Sequence, residues 1–134
     1  MDAPKPDAQL DEQDPRFPSG PWFGFYRQWG TQSRQRFTLT FREGRVEGRG
    51  KDPCSEFGVR GTYDTESGVV SITKTYVGYE VHYDGAAADG DGISGRWEIR
   101  YDLVPADRGE FHIWPDELAM AEGRELRAEE PIGV

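Results

Sequence analysis

The feature that most constrains the fold of this chain is a regular alternation of apolar and polar residues along short runs. In the run Gln35–Arg42, Phe37, Leu39 and Phe41 share one face, and threonine and arginine residues occupy the other. The run Val69–Val77 has the same period of two. Successive side chains of a β-strand point to opposite faces of a sheet, so this pattern predicts strands that are apolar on one side only.

Eight runs of this kind lie between Gly20 and Pro115, and no convincing helical pattern separates them. They are Trp22–Trp29, Gln35–Arg42, Arg45–Gly50, Phe57–Asp64, Val69–Val77, Tyr79–Asp84, Ile93–Asp102 and Glu110–Trp114. Many one-sided strands in succession favour a closed sheet, because closure buries the apolar faces and removes exposed edges. We therefore predict an all-β fold, a single antiparallel up-and-down barrel of about eight strands.

The runs are joined by short connections rich in glycine and acidic residues, as antiparallel hairpins require. We place these connections at Glu43-Gly44, Thr65–Gly68, Gly85–Gly92 and Ala106–Gly109. The join at Val77-Gly78 has two interpretations. It is either a two-residue turn or a glycine bulge within one bent strand, and the bulge would reverse the inward face partway along.

The two ends of the chain differ from its middle in composition. Residues 1–19 hold four of the nine prolines, several acids and few apolar residues, which predicts a flexible, acidic, proline-rich arm. Residues 20–115 form the predicted barrel domain. Residues 116–134 begin with two acids after a proline and predict a tail or a short C-terminal helix.

Charge and cysteine content limit the partners and the location. The formal net charge of −9 repels phosphate backbones and anionic lipids, so we expect neither nucleic acid nor a membrane as a partner. Cys54 is the only cysteine, which excludes an intrachain disulfide. The opening residues show no signal peptide, and no run is long and apolar enough for a bilayer. These features favour a cytoplasmic protein.

Three motifs combine glycine with an aromatic residue: Gly20-Pro21-Trp22, Gly61-Thr62-Tyr63-Asp64 and Gly95-Arg96-Trp97-Glu98. Spread over residues 20–114, they resemble the calycins, the group of barrels that includes lipocalins, fatty-acid-binding proteins and avidins. The resemblance implies that Trp22 packs at the base of the barrel with Arg100 stacked on it. Trp97 is expected to be a structural residue as well. The lipocalin disulfides and the biotin ligands of avidin have no counterpart here, so neither ligand is carried over.

Lys74 lies on the apolar face of its run, between Ile72 and Tyr76, in a chain with three lysines and thirteen arginines. An ammonium is costly to bury unless it is paired or reaches water. One interpretation is an interior cation that binds an anionic or carbonyl ligand, or an amine with a depressed pKa. The other is a stem packed on the apolar face whose head reaches solvent or pairs with an acid.

A second set of candidate ligand-binding residues surrounds Lys74 if the first strand turns Trp22, Gly24, Tyr26 and Gln28 inward. The set is Tyr26, Gln28, Tyr63, Tyr76 and Tyr83. Tyrosine supplies both an apolar wall and a hydroxyl, the mixture expected of a small-molecule pocket. The alternative is a barrel filled solid by its own side chains.

The opposite face of the first strand is also aromatic, with Phe23, Phe25 and Trp29. This predicts an interface with the tail, a second copy of the chain or a protein partner.

Other polar residues carry weaker signals. Glu80, His82 and Asp84 alternate along one strand, and a solvated face is favoured over a metal site because alternate residues do not converge. Cys54 is interpreted as a turn residue and His112 as an exposed or capping residue. No catalytic residue, metal or cofactor is assigned.

Three functions follow from these residues. The first is a barrel that binds a small, partly apolar, anionic or neutral molecule. The second is a protein-interaction or scaffold module, including a homodimer. The third is a small isomerase or cyclase that uses Lys74 and Tyr76 as acid and base groups. The chain has no nucleophile elbow, phosphate loop or paired-cysteine motif, which favours binding over catalysis.

Overall fold

A computed structural model describes residues 10–101 and 104–115, with the backbone alone at residues 100, 101 and 104–106. The strands are β1 (Gly20–Gln28), β2 (Thr31–Arg42), β3 (Arg45–Lys51), β4 (Glu56–Tyr63), β5 (Val69–Tyr76), β6 (Tyr79–Ala88), β7 (Gly92–Tyr101) and β8 (Val104–Trp114). Each strand pairs antiparallel with the next, and β8 pairs with β1, which closes the barrel. The predicted eight-strand up-and-down barrel is confirmed. Within the described ranges no helix is long and apolar enough to cross a membrane.

Two of the predicted connections are wrong. The segment Gly85–Gly92 is mostly paired, because β6 continues through Ala88 and β7 begins at Gly92. The segment Ala106–Gly109 lies entirely within β8. Both segments lack the branched and aromatic residues that mark strands. Neighbouring strands nevertheless supply their hydrogen bonds, so the closed sheet extends them against their local preference.

The join at Val77-Gly78 is a two-residue turn. Tyr76 and Tyr79 pair across it, and Gly78 has a φ of 93°, in the region that favours glycine. The inward face therefore continues from β5 into β6 without the reversal that a bulge would cause.

The turns alternate between two ends of the barrel because consecutive strands run in opposite directions. We call one end the mouth, formed by the turns at residues 29–30, 52–55 and 77–78. We call the other end the base, formed by the turns at residues 43–44, 64–68 and 89–91.

Aromatic rings close the base. The rings of Phe17 and Tyr63 have centroids 4.8 Å apart, and those of Trp22 and Phe41 are 5.5 Å apart. None of these four side chains is more than 5% exposed. The Nε1 of Trp22 donates a hydrogen bond to the carbonyl oxygen of Pro18 at 2.9 Å. These rings therefore close the barrel interior at the base.

Residues 10–19, the described part of the expected flexible arm, lie against the barrel. The backbone N–H of Glu12 donates to the carbonyl of Phe41 at 2.8 Å, and Asp11 pairs with Arg42 at 2.7 Å. Phe17 is fully buried in the base. This stretch differs from the expectation because Phe17 fills an apolar space that the strands leave open. Residues 1–9 and the predicted C-terminal helix within 116–134 lie outside the described residues.

Gly109 lets the indole of Trp97 lie directly against β8. A Cβ atom at Gly109 would lie 2.6 Å from the Trp97 Nε1, closer than any side chain allows. Because Gly109 has no Cβ atom, the Nε1 of Trp97 can donate to the carbonyl oxygen of Arg27 at 3.0 Å. The bond fixes this ring inside the barrel, in the half toward the mouth.

Candidate functional site

A partly open cavity of about 130 Å³ lies inside the barrel near the mouth. Its wall combines aromatic and aliphatic groups with hydroxyl, thiol, amide and amine groups. The lining residues are Tyr26, Gln28, Cys54, Lys74, Tyr76, Tyr79, Val81, Tyr83, Trp97 and Ile99. Five of the six residues predicted to bind a ligand are among them. The barrel is therefore not filled solid at this end.

Strand alternation and a short turn bring the polar residues together. On β5, Lys74 and Tyr76 are buried whereas Thr75 is exposed. Tyr76 is the last residue before the turn at 77–78, so both inward side chains lie close to the mouth. Tyr83 on β6 pairs with Trp97 on β7, which continues the lining around the barrel.

The ammonium of Lys74 is buried and fully hydrogen-bonded. Its Nζ donates to Oδ2 of Asp52 at 3.0 Å, to Oε1 of Gln35 at 3.0 Å and to the hydroxyl of Tyr83 at 3.2 Å. These three bonds use all the donors of an ammonium. The sequence analysis allowed the head of Lys74 either to reach solvent or to pair with an acid. In the structure the head is buried and pairs with Asp52.

Asp52 comes from the turn at 52–55 and is itself buried. Its Oδ1 accepts the backbone N–H of Cys54 at 2.8 Å and of Ser55 at 3.2 Å, and its Oδ2 also accepts the hydroxyl of Tyr76. Burial raises the pKa of this carboxyl, but the charge of Lys74 and the hydrogen bonds outweigh burial and hold the pKa below its ordinary value. Asp52 is therefore an anion at neutral pH.

Five aromatic rings surround the Lys74 Nζ. The ring of Phe57 is nearest, with its centroid at 4.1 Å, and the other four centroids lie between 5.0 and 5.9 Å away. The four are Tyr26, Phe37, Tyr76 and Tyr83. Ring faces attract a cation, but they also exclude water. Burial lowers the pKa of Lys74 to about 8, although the nearby Asp52 acts in the opposite direction.

Three of the cavity tyrosines remain neutral hydroxyls. Burial raises the pKa of Tyr26, Tyr76 and Tyr83, and for Tyr76 the hydrogen bond to Asp52 raises it further. They therefore act as hydrogen-bond donors and acceptors rather than as bases. The Lys74–Asp52 pair is electrically neutral as a unit.

The remaining predicted site residues lie in different places. Tyr63 does not line this cavity, because β4 carries it to the base, where its hydroxyl donates to Oε1 of Glu12 at 2.7 Å. Gln28 lines the cavity and donates to Oδ2 of Asp107 at 2.7 Å. Trp22 lies at the base, the position that the resemblance implies. The side chain of Arg100 lies outside the described residues.

The three outward aromatic residues of the first run do not form one exposed face. Phe25 is buried on the outside of the barrel, with its ring centroid 5.9 Å from that of Trp114. Phe23 is half-buried beside this pair, whereas Trp29 is 85% exposed at the mouth. Of the three residues, Trp29 is therefore the exposed one, and the interface through Phe23, Phe25 and Trp29 remains a prediction.

The expectation that His112 is exposed is wrong. His112 is buried, and its ring stacks on that of Trp114 with centroids 3.7 Å apart. Its Nε2 forms a hydrogen bond with the carbonyl oxygen of Asp91. The reason is that His112 on β8 pairs with Phe25 on β1, so it belongs to the small outer cluster of aromatic residues.

Glu80, His82 and Asp84 lie on the outside of β6 and do not converge. Each interacts with a different partner, two of them on the neighbouring strand β5 and one on β4. These partners are, respectively, Arg60 at 3.1 Å, Thr73 at 3.3 Å and Ser71 at 3.1 Å. Across the described part of the chain, no group of three or more His, Cys, Asp and Glu side chains is placed to hold a metal ion.

A wider groove of about 740 Å³ lies on the outside of the barrel, over β2 to β5. Arg36, Arg49 and Lys51 line it together with one acid, Glu56. Arg36 and Lys51 are direct cross-strand partners. This face is therefore a local concentration of positive charge on a chain whose net charge is −9.

The residues of the site that were missed from the sequence include three that bond to Lys74 or face Tyr26: Gln35, Asp52 and Cys54. A signal for Asp52 existed, because hairpin alternation places the turn at 52–55 at the same end as the turn that follows Tyr76. Gln35 also stands at an inward position, two residues before Phe37. Cys54 lies at the cavity wall, with its Sγ 3.7 Å from the hydroxyl of Tyr26.

No model of a known protein family matches this chain, and no curated protein is similar to it in sequence at a significant level. Function must therefore be argued from the chemistry of the site.

Proposed function

We propose that this protein binds a small, partly apolar molecule, about the size of one ring, in the cavity at the mouth. The observation that carries the proposal is a partly open, aromatic-walled space beside a buried lysine whose charge is already paired. Ligand sites typically combine apolar walls with a few fixed polar groups. The volume of about 130 Å³ is close to the roughly 150 Å³ of an engineered cavity that takes up benzene.

The paired charges favour a neutral polar group on the ligand over an anion. Asp52 already neutralises Lys74, so an anion would have to compete with a carboxylate 3.0 Å from the Nζ. The Tyr26 hydroxyl faces the thiol of Cys54 at 3.7 Å, and a thiol is a weak hydrogen-bond partner. The hydroxyls of Tyr76 and Tyr83 donate to Asp52 and Gln35, so of these three hydroxyls that of Tyr26 can turn to a carbonyl or hydroxyl of the ligand at least cost.

Phenol, benzyl alcohol and benzoate test this proposal as probes of equal ring size. We expect the two neutral probes to raise the melting temperature of the protein, and benzoate to have a smaller effect at the same concentration. Protein NMR with phenol should show shifts at Tyr26 and Trp97 and none at the base residue Phe41.

A matched pair of variants locates the binding. Val81 lines the cavity, so Val81→Phe fills part of its volume and should abolish the phenol effect. Val69 is 53% exposed near the base, so Val69→Phe should leave the effect unchanged. Binding that survives Val81→Phe, or neutral probes that do not bind at all, would contradict the proposal.

A protein-interaction module is the second candidate, supported by two apolar residues at the rim. Trp29 is 85% exposed and Val77 is fully exposed, each in a turn at the mouth. Exposed tryptophan is typical of interaction sites. Light scattering of the wild type and of Trp29→Asn tests this candidate. An assembly that Trp29→Asn dissociates supports it, and a strict monomer in both samples contradicts self-association.

A further inference from the structure

Lys74 has a position that no other described lysine shares. The structure describes two lysines, and Lys51 is exposed on the outside of β3. Lys74 lines the partly open cavity, although its side chain is only 2% exposed. A small molecule that enters the cavity therefore meets a primary amine in an aromatic enclosure.

The surroundings of this amine keep part of it neutral, as a nucleophile must be. The five rings around the Nζ exclude water, and burial lowers the pKa of Lys74 to about 8. At mildly alkaline pH a large fraction of Lys74 is therefore an uncharged amine, whereas an exposed lysine is almost entirely protonated.

We propose that Lys74 captures a small aldehyde in this cavity as a protonated imine, an inference that rests on the proposed ligand site. The neutral amine adds to the carbonyl carbon, and one of its protons passes to the carbonyl oxygen to give a carbinolamine. The hydroxyl then takes up a proton equivalent to the one that the ammonium released and leaves as water, while the nitrogen lone pair forms the carbon–nitrogen double bond. The net change is ammonium plus aldehyde to iminium plus water, so no oxidant or reductant is needed and no net proton is exchanged.

Asp52 retains its counterion through this change. The Nζ is positively charged before and after the reaction, so the buried carboxylate has a cationic partner in both the starting ammonium and the final iminium. The iminium keeps one N–H, which remains available to Oδ2 of Asp52. Two acceptors lose an N–H of Lys74. Of these, Oε1 of Gln35 still accepts the Tyr83 hydroxyl at 2.9 Å, and that hydroxyl keeps its bond as a donor.

The cavity selects the kind of aldehyde. Its volume of about 130 Å³ and the aromatic walls at Tyr26 and Trp97 favour a flat aldehyde of one ring. Benzaldehyde is therefore a suitable probe, and it carries no charge that would compete with Asp52.

Reductive trapping on the full-length wild-type chain tests the inference without any variant. The protein is incubated with benzaldehyde and sodium cyanoborohydride at pH 8, and the benzylated amines are located by peptide mapping. Lys51, Lys5 and the terminal amine are internal references in the same sample. We expect Lys74 to be modified at least roughly tenfold faster than Lys51, since a pKa near 8 gives a far larger neutral fraction than an ordinary lysine has. When urea unfolds the protein, Lys74 and Lys51 should be modified at similar rates.

The outcomes separate this inference from the proposed function. Phenol cannot form an imine, so its binding reports on the cavity alone. If phenol binds and Lys74 is modified no faster than Lys51, the capture of aldehydes is overturned and the ligand site stands. If phenol does not bind, the proposed ligand site is contradicted. A selective Lys74 adduct found in that case would have to form without a ligand site in the cavity. Val81→Phe should slow the modification of Lys74 and leave that of Lys51 unchanged.

Discussion

The ammonium of Lys74 and the carboxylate of Asp52 lie 3.0 Å apart, and neither side chain is more than 2% exposed. The pair connects the end of β5 nearest the mouth to the turn at residues 52–55, so it fixes the position of that turn over the cavity. Moving two charges out of water costs free energy that their attraction only partly returns. The pair therefore specifies the geometry of the site more than it stabilises the fold.

Removing one partner of this pair should be far more damaging than removing both. We expect Asp52→Asn and Lys74→Met each to lower the free energy of unfolding by about 3–5 kcal/mol, because each leaves a buried charge without a partner. The double variant should be more stable than either single variant. Urea denaturation of the four proteins gives the coupling energy, and additive losses would contradict this account.

Stability should depend on pH with a sign set by Lys74. Its pKa is about 8 in the folded protein and has an ordinary value of 10.5, so between these values the unfolded chain holds more protons. The free energy of unfolding should therefore rise with pH from about 8. Above about pH 10 the sign reverses, because tyrosines ionise in the unfolded chain while the raised pKa values of Tyr76 and Tyr83 keep them protonated when folded.

Urea melts between pH 7.5 and 9.5 measure this dependence. The double variant Asp52→Asn/Lys74→Met is the reference, since it retains the fold's other titrating groups and lacks this amine. A wild type that gains no stability over the reference in this range would show that the pKa of Lys74 is not lowered.

Trp29 occupies a backbone conformation that suits other residues better. Its φ is 51° and that of Gly30 is 78°, the positive pair that a two-residue hairpin turn requires and that asparagine tolerates. We expect Trp29→Asn to raise the free energy of unfolding by about 1 kcal/mol. Glu43 has the same φ of 51° before Gly44, so Glu43→Asn is the matched control and should give a similar gain. A loss at Trp29 alone would indicate that its ring makes a stabilising contact.

Phe17 should behave as a core residue although it precedes the first strand. Phe17→Ala removes a fully buried ring from the base and should cost about 3–5 kcal/mol of stability. Leu10 is 64% exposed in the same segment, so Leu10→Ala should cost little. Equal effects in chemical denaturation would mean that the segment does not hold the ring in solution.

The outer groove offers an electrostatic prediction. Arg36 lies directly across from Lys51, and like charges in this position repel. We expect Arg36→Glu to raise the free energy of unfolding by about 0.2–1 kcal/mol, more than Arg36→Gln does. Thermal denaturation at low and high salt checks it, because salt screens exposed charges and should reduce the difference. A difference that salt does not change would not be electrostatic.

The strands were predictable where side chains alternate strongly. Phe37, Leu39 and Phe41 predict the inward face of β2 because burying three large residues decides which way the strand turns. Gly85 and Ala86 are also in a strand, but their small side chains contribute little to that choice, and the barrel decides it through pairing with β7. Local pattern cannot reveal pairing of that kind.

The candidate site was predictable in part for the same reason. Lys74 was identified because it breaks an apolar face, which is a local signal. Its partner Asp52 is 22 residues earlier in a polar turn, where an acid is unremarkable until the turn is placed at the mouth. Tyr63 has the same inward pattern as Tyr76, yet its strand ends at the base. Whether an inward residue lies at the mouth or at the base depends on the direction of its strand, and the composition of the strand does not reveal that direction.

The barrel is closed by a short seam. β1 and β8 share four residue pairs, from Phe23–Trp114 to Tyr26–Phe111, whereas β1 and β2 share nine. Fewer ladder hydrogen bonds must break there, so amide protons along this seam should exchange with solvent earliest during partial unfolding. An opened molecule presents two complementary free edges, and those of a second opened molecule match them. Mild heating at high concentration should therefore produce strand-exchanged oligomers that join through β1 and β8.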